Sequence, residues 1–286
     1  MVERNTRRPA KGRTVELDGE AVHWDQDISY GQYLQLEPLL ACQQRRSEQH
    51  DEMLFIVIHQ VSELWLKQCL HEAHAAAAHI AEEQLAPAFK MLARVARIQE
   101  QMIHAWEVLV TMTPADYASF RDSLGQSSGF QSYQYRELEF LLGNKNPRLV
   151  EVHRSHPQHY QRLSEVLHAP SLYDISLQLL ERRGFTIPRG CVDRDWSQPY
   201  EPCDAVEQAW AEIYRQPQAH WDLYELAEKL VDTEYNFHKW RFSHMKTVER
   251  IIGYKPGTGG TGGVSFLVKA LDLQFFPELW SVRTTL

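Results

Sequence analysis

Two histidines stand where the surrounding sequence does not ask for one. His59 falls inside DEMLFIVIHQVSELWLKQ (51–68), whose apolar residues Met53, Leu54, Val57, Ile58, Val61, Leu64 and Trp65 recur with the period of a helix. Phe55 lies four residues earlier, on the same face and just off the main apolar stripe. His244 falls inside TEYNFHKWRFSHMKTVERIIG (233–253), four residues after Trp240 and seven after Phe237, on an aromatic face. Each is open to two readings. A histidine on such a face can be a core residue satisfied by a neighbour. It can also be a neutral imidazole turned toward a ligand, and on an aromatic wall it is what a haem iron takes as an axial ligand.

Other stretches carry weaker signals. Tyr117 and Arg121 are four apart in TPADYASFRDSLGQSSGFQS, so a phenol and a guanidinium share a face suited to gripping a carboxylate; the bland alternative is a surface ion pair. Ser127, Ser128 and Gly129 then place small residues where a large flat ligand could approach the backbone. KPGTGGTGG (255–263) lacks the preceding strand and the terminal Gly-Lys-Ser/Thr of a phosphate loop. It reads as a flexible linker or as a glycine-hinged lid offering Thr258 or Thr261. HEAHAAAAH scatters His71, His74 and His79 around a helix and reads as a solvated or interface face rather than a metal site. Glu20-x-x-His23 and Glu165-x-x-His168 have di-iron spacing, but neither sits mid-way along a long helix, where a carboxylate bundle needs it.

The elements that must position these residues are helices. Periodicity predicts them at 29–44, 51–83, 86–112, 114–123, 131–143, 157–168, 171–182, 204–215 and 218–252, with strand signals nearly absent. Three are long enough to need one another along most of their length, which predicts an antiparallel bundle. Thr113-Pro114 marks a helix start and GNKNP (143–147) a stop. GFTIPRGCVDRDWSQPYEPCD is a long irregular connection, yet neither side of it carries a complete core, so one domain over 21–286 is expected after a disordered, basic tail over 1–20.

Composition limits the partners. With 30 Lys plus Arg against 38 Asp plus Glu, the net charge of −8 argues against nucleic acid or an anionic membrane as the main partner. No run of apolar residues is long enough to span a bilayer. Cys42, Cys69, Cys191 and Cys203 form no CxxC or CxxCH, which points to a reducing, cytoplasmic setting and excludes the usual covalent haem attachment.

Taken together, DEMLFIVIHQVSELWLKQ, FRDSLGQSSGFQSYQYRELEFLLGNKNP, WRFSHMKTVERIIGYKPGTGGTGG and FFPELWSVRT resemble the tryptophan 2,3-dioxygenases of the haem-dependent tryptophan/indoleamine dioxygenase superfamily. The similarity runs from about Tyr30 onward. The indoleamine dioxygenases match less well, because they lack a histidine where His59 stands. The resemblance implies an all-α bundle enclosing a non-covalent haem b, in a homotetramer built as a dimer of dimers. It implies cleavage of the indole C2–C3 bond of L-tryptophan with O2 to N-formyl-L-kynurenine, the first step of tryptophan catabolism by the kynurenine pathway. It further implies that His244 is the iron ligand, that His59 bonds the indole N–H, and that Phe55 packs against the substrate. Arg121 and Tyr117 would hold the carboxylate, and Thr258 the ammonium and carboxylate. Trp106, Ser128 and Gly129 would line the haem, and Tyr30, Tyr33 and Leu34 would reach into the neighbouring subunit's site.

Overall fold

The computed structural model describes residues 13–24 and 28–286, and the chain divides into two compact units, 1–46 and 47–286. In the first, β1 (Arg13–Leu17) and β2 (Glu20–Trp24) pair antiparallel with Val15 opposite Val22. Asp18 and Gly19 join them, both at positive φ (51° and 85°), as a two-residue hairpin loop demands. Eight residues of the segment expected as a disordered tail, 13–20, are thus part of a hairpin; residues 1–12 lie outside the described ones. Two short helices follow, α1 (Tyr30–Leu34) and α2 (Leu36–Leu40). Ser29 and Gln32 form a capping box at the start of α1. The single helix expected over 29–44 breaks at Gln35, which is left-handed at φ 53°. Pro38 explains the break: it has no N–H to give the carbonyl of Leu34, so a continuous helix cannot pass.

The second unit is built on three long helices, α3 (Glu52–Ala81), α4 (Leu85–Leu109) and α11 (Trp221–Ile252), with α4 packed against both of the others. α3 runs about 45 Å at 1.5 Å per residue. Only residues 82–84 separate it from α4, so the two must run antiparallel. Around them lie α5 (Pro114–Phe120), α6 (Tyr133–Leu142), α7 (Pro157–His168), α8 (Leu172–Arg182), α9 (Arg189–Val192) and α10 (Asp204–Arg215). Thr113 and Asp116 cap α5 reciprocally with Pro114 at its first position, as expected from the sequence.

Two further helices, α12 (Val264–Leu271) and α13 (Pro277–Thr285), were not expected. Buried carboxylates hold this end of the chain. Glu234 of α11 accepts the backbone N–H of Phe275 and Phe276 at 2.6 and 3.1 Å and the indole N–H of Trp280 at 2.7 Å. Glu278 of α13 accepts the hydroxyls of Tyr173 and Tyr200 at 2.8 and 2.6 Å and the N–H of Cys203 at 2.7 Å. The irregular connection is therefore fixed from the far end of the sequence as well as by bonds of its own, such as Arg194 to the Gln198 carbonyl and to Asp174. Among the described residues no helix is long and apolar enough to cross a membrane.

Candidate active site

α3, α4, α5 and α11 bring a continuous run of rings together. Tyr117 lies 5.9 Å from Phe55, Phe55 4.2 Å from His59, His59 6.4 Å from Trp106, and Trp106 4.7 Å from His244, measured between ring centroids. Phe120 closes the near end against both Phe55 and Tyr117, at 5.7 and 5.5 Å. The helical period accounts for the gathering: the residues lie on helix faces that meet where α4 passes between α3 and α11.

His59 has a defined protonation. Its Nδ1 is 2.7 Å from the carbonyl oxygen of Phe55, one turn back on the same helix. A carbonyl only accepts, so Nδ1 carries the proton and Nε2 presents a lone pair. Burial pushes the pKa below the usual histidine value, against smaller opposing contributions from the Phe55 carbonyl and Glu63. His59 is therefore a neutral acceptor at pH 7.

His244 is held neutral more firmly. Burial, and secondarily the proximity of His59, push its pKa down to about 4. Its ring stacks on Trp106 and lies 5.6 Å from Trp240, and the indole Nε1 atoms of both tryptophans are buried without a hydrogen-bond partner. Unsatisfied buried donors on two sides of an unprotonated imidazole describe a place whose polar groups are not completed by the chain itself.

A second cluster adjoins. Arg121 donates from Nη2 to the carbonyl of Pro256 at 2.6 Å, and Thr258 Oγ1 donates to the carbonyl of Ser127 at 2.5 Å. Both bonds tie the glycine-rich segment to the segment that follows α5. Gly259 lies so close to Ser128 that an added Cβ would come within 2.7 Å of the serine Cβ. Ser128 also caps the short turn that begins at Gly129. A cleft of about 250 Å³ runs beside this cluster, lined by Tyr117, Arg121, Arg250 and Lys255 among others. Burial raises the Tyr117 pKa, and the adjacent Arg121 works against that rise.

Most residues singled out in the sequence are thus gathered in two adjoining groups. Phe55, His59, Trp106, Tyr117 and His244 form the ring run; Arg121, Thr258, Ser128 and Gly129 form the loop cluster. Tyr30, Tyr33 and Leu34 belong to the first unit, where the two tyrosines are about three-quarters exposed (75 and 74 %). Trp240 also belongs to the ring run, at a spacing from His244 that is visible in the sequence, whereas nothing in the sequence points to the Pro256 carbonyl. The other histidine motifs have structural partners. His74 meets Glu137, His168 the carbonyl of Ser164, and His23 the hydroxyl of Thr14. No group of three or more His, Cys, Asp or Glu suited to a metal ion occurs among the described residues.

The family model for tryptophan 2,3-dioxygenase matches residues 17–182 and 166–286. A tryptophan 2,3-dioxygenase of Bacillus cereus (strain ATCC 10987 / NRS 248) is 55% identical over 269 residues, covering 93% of this chain and 96% of its own. One from Polaromonas sp. (strain JS666 / ATCC BAA-500) is 54% identical over 274 residues, covering 96% of this chain and 93% of its own. One from Burkholderia pseudomallei (strain 668) is 57% identical over 263 residues, covering 92% and 86%. Similarity of this depth along both units, with the ring run and the loop cluster inside it, places the chain in the tryptophan 2,3-dioxygenase family.

Proposed function

We propose that the protein opens the indole ring of L-tryptophan at C2–C3 with both atoms of O2, giving N-formyl-L-kynurenine for the kynurenine route of tryptophan catabolism. The observation that carries the reading is the 2.7 Å contact between His59 Nδ1 and the Phe55 carbonyl. A lone pair on Nε2, held by the bond from Nδ1 to the Phe55 carbonyl, is what an indole N–H needs in an apolar pocket.

The family is haem-dependent, and the residues present suit that group. His244 is an unprotonated imidazole in an aromatic wall, and Trp106 and Trp240 offer unpaired N–H donors beside it. In our reading His244 would bind the iron of a haem b, and Trp106, Ser128 and Gly129 would line the cofactor. When bound, haem supplies the binding and activation of O2. The remaining work belongs to side chains. His59 accepts the indole N–H and Phe55 packs on the ring, so the substrate is fixed in orientation. Arg121 has five N–H donors, of which one goes to Pro256, and its fork is suited to pairing the substrate carboxylate beside Tyr117. Thr258 Oγ1 would accept from the ammonium, and would leave the Ser127 carbonyl to donate to the carboxylate. The loop, closing on the site, excludes water.

We further propose a homotetramer in which Tyr30, Tyr33 and Leu34 complete the site of a neighbouring subunit, and a cytoplasmic location in keeping with the scattered cysteines. The purified protein should show a Soret band that shifts when L-tryptophan is added. His244→Ala should stay helical and lose stable haem binding. A haem-replete His244→Ala protein with the parent's ferrous spectrum would place the ligand elsewhere.

A further inference from the structure

Between α6 and α11 lies a charged cluster cut off from solvent. Glu139, Arg136 and Arg241 are exposed by only 2, 5 and 3 %. Glu139 accepts from Arg241 Nη2 at 2.6 Å, from the Tyr135 hydroxyl at 2.9 Å, and from Arg136. Arg241 Nε donates to the Tyr135 oxygen at 3.3 Å, and its Nη1 donates to the carbonyls of Ala270 and Leu273 at 3.0 and 3.3 Å. Stripping three charges of water is costly and their pairing returns only part of that cost, so such a cluster is a poor route to stability alone. It is a good route to fixed geometry, because each of its bonds has a direction.

What it fixes leads to His244 by two routes. The Tyr135 hydroxyl is held by both Glu139 and Arg241, so its ring is locked; that ring lies 5.3 Å from Trp240, which lies 5.6 Å from His244. Arg241 is also the residue after Trp240 on α11. Its bonds to α6 and to the end of α12 anchor the backbone one turn before His244.

We propose that Glu139 and Tyr135 are positioning residues for His244, setting the orientation of its imidazole toward the iron; this rests on the reading of His244 as the haem ligand. Groups that orient a ligating imidazole tune metal binding without touching the metal.

The test uses the full-length haem-loaded protein and reads the iron–histidine stretching band of the ferrous form and the rate of haem transfer to a scavenger protein. Tyr135→Phe removes only the hydroxyl, and Glu139→Gln removes the charge. Glu278→Gln is the control, because it disrupts an equally buried carboxylate whose partners lie outside the ring run. Both test variants should shift the band and release haem faster, by up to roughly 10-fold, the lower end of the effect of groups bonded directly to a ligating imidazole. The control should lower Tm and leave band and rate unchanged. A folded Tyr135→Phe protein with the parent's band and rate overturns the proposal, as does a control that moves them equally. If Glu139→Gln does not fold, Tyr135→Phe decides alone. His244→Ala separates the two layers: retention of the parental band there refutes the ligand reading, whereas its loss there with none in Tyr135→Phe refutes only the positioning role.

Discussion

The histidine at position 59 is useful because of what its other nitrogen does. The Nδ1 bond to Phe55 fixes which atom faces the pocket, and burial keeps that atom unprotonated. Removal of the ring should therefore spare haem and weaken tryptophan. His59→Ala leaves a buried indole donor unpaired, at a cost of about 1–3 kcal/mol in substrate binding. A methyl on the indole nitrogen should clash with the imidazole and fit the space left by alanine, so 1-methyltryptophan should gain relative to tryptophan in the variant. A relative loss, measured as the ratio of kcat/KM values, would remove His59 from the indole nitrogen. Acid gives a second measurement. The His59 pKa lies below the ordinary 6.5, so Nε2 stays an acceptor above that pH and becomes a donor as pH falls through the lowered value. Tryptophan affinity should be flat above pH 6.5 and then decline, and His59→Ala should lack that decline. Stability of the haem-free protein follows the same sign. The unfolded chain binds a proton at each of His59 and His244 before the fold does, so stability falls from pH 6.5 toward the value of about 4 at His244. At this scale the sequence made residue types and faces legible. It did not reveal the tautomer of His59, which needs a bond geometry, or the Pro256 carbonyl on Arg121, which is 135 residues away in the chain.

Elements were legible in proportion to how far they are set by local sequence. The long helices α3, α4 and α11 repeat their apolar pattern over many turns, and the start of α5 carries its own cap. α13 has Pro277 as a local start signal, but what holds it lies far earlier in the chain: Glu234, and the Tyr173, Tyr200 and Cys203 groups that bond Glu278. The hairpin did carry a signal, Asp18-Gly19 between alternating residues. The glycine-rich segment falls between these cases, since its composition announces freedom and only its contacts announce a place. Gly259→Ala tests that place. A Cβ there would come within 2.7 Å of the Ser128 Cβ, an atom held close to backbone, so the loop must retreat and strain the bond from Thr258 to Ser127. An exposed loop substitution should change stability by no more than about 0.5 kcal/mol. A displacement near the substrate can lower kcat/KM by as much as about 100-fold. A variant with parental kcat/KM would show that closeness of the two segments is not needed for turnover.

At the scale of the whole molecule, the all-α architecture was legible because helical periodicity fills most of the chain, whereas subunit exchange entered only through the family resemblance. The first unit exposes Val15, Leu17, Val22, Tyr30 and Tyr33. A chain truncated before residue 36 should keep its helices and lose activity. Mixed with full-length His244→Ala subunits, it should recover part of that activity, since each partner supplies what the other lacks. Mixed oligomers that form without turnover would refute a shared site. The hairpin carries a last consequence. Two strands alone in water are marginally stable at best, and this pair presents apolar side chains on its surface. If a neighbouring chain covers them, ordering the front of each subunit is a second-order event, governed by concentration. Specific activity then ceases to be a constant of the preparation. It declines as the enzyme is diluted in the cuvette and returns with a lag when the enzyme is concentrated again.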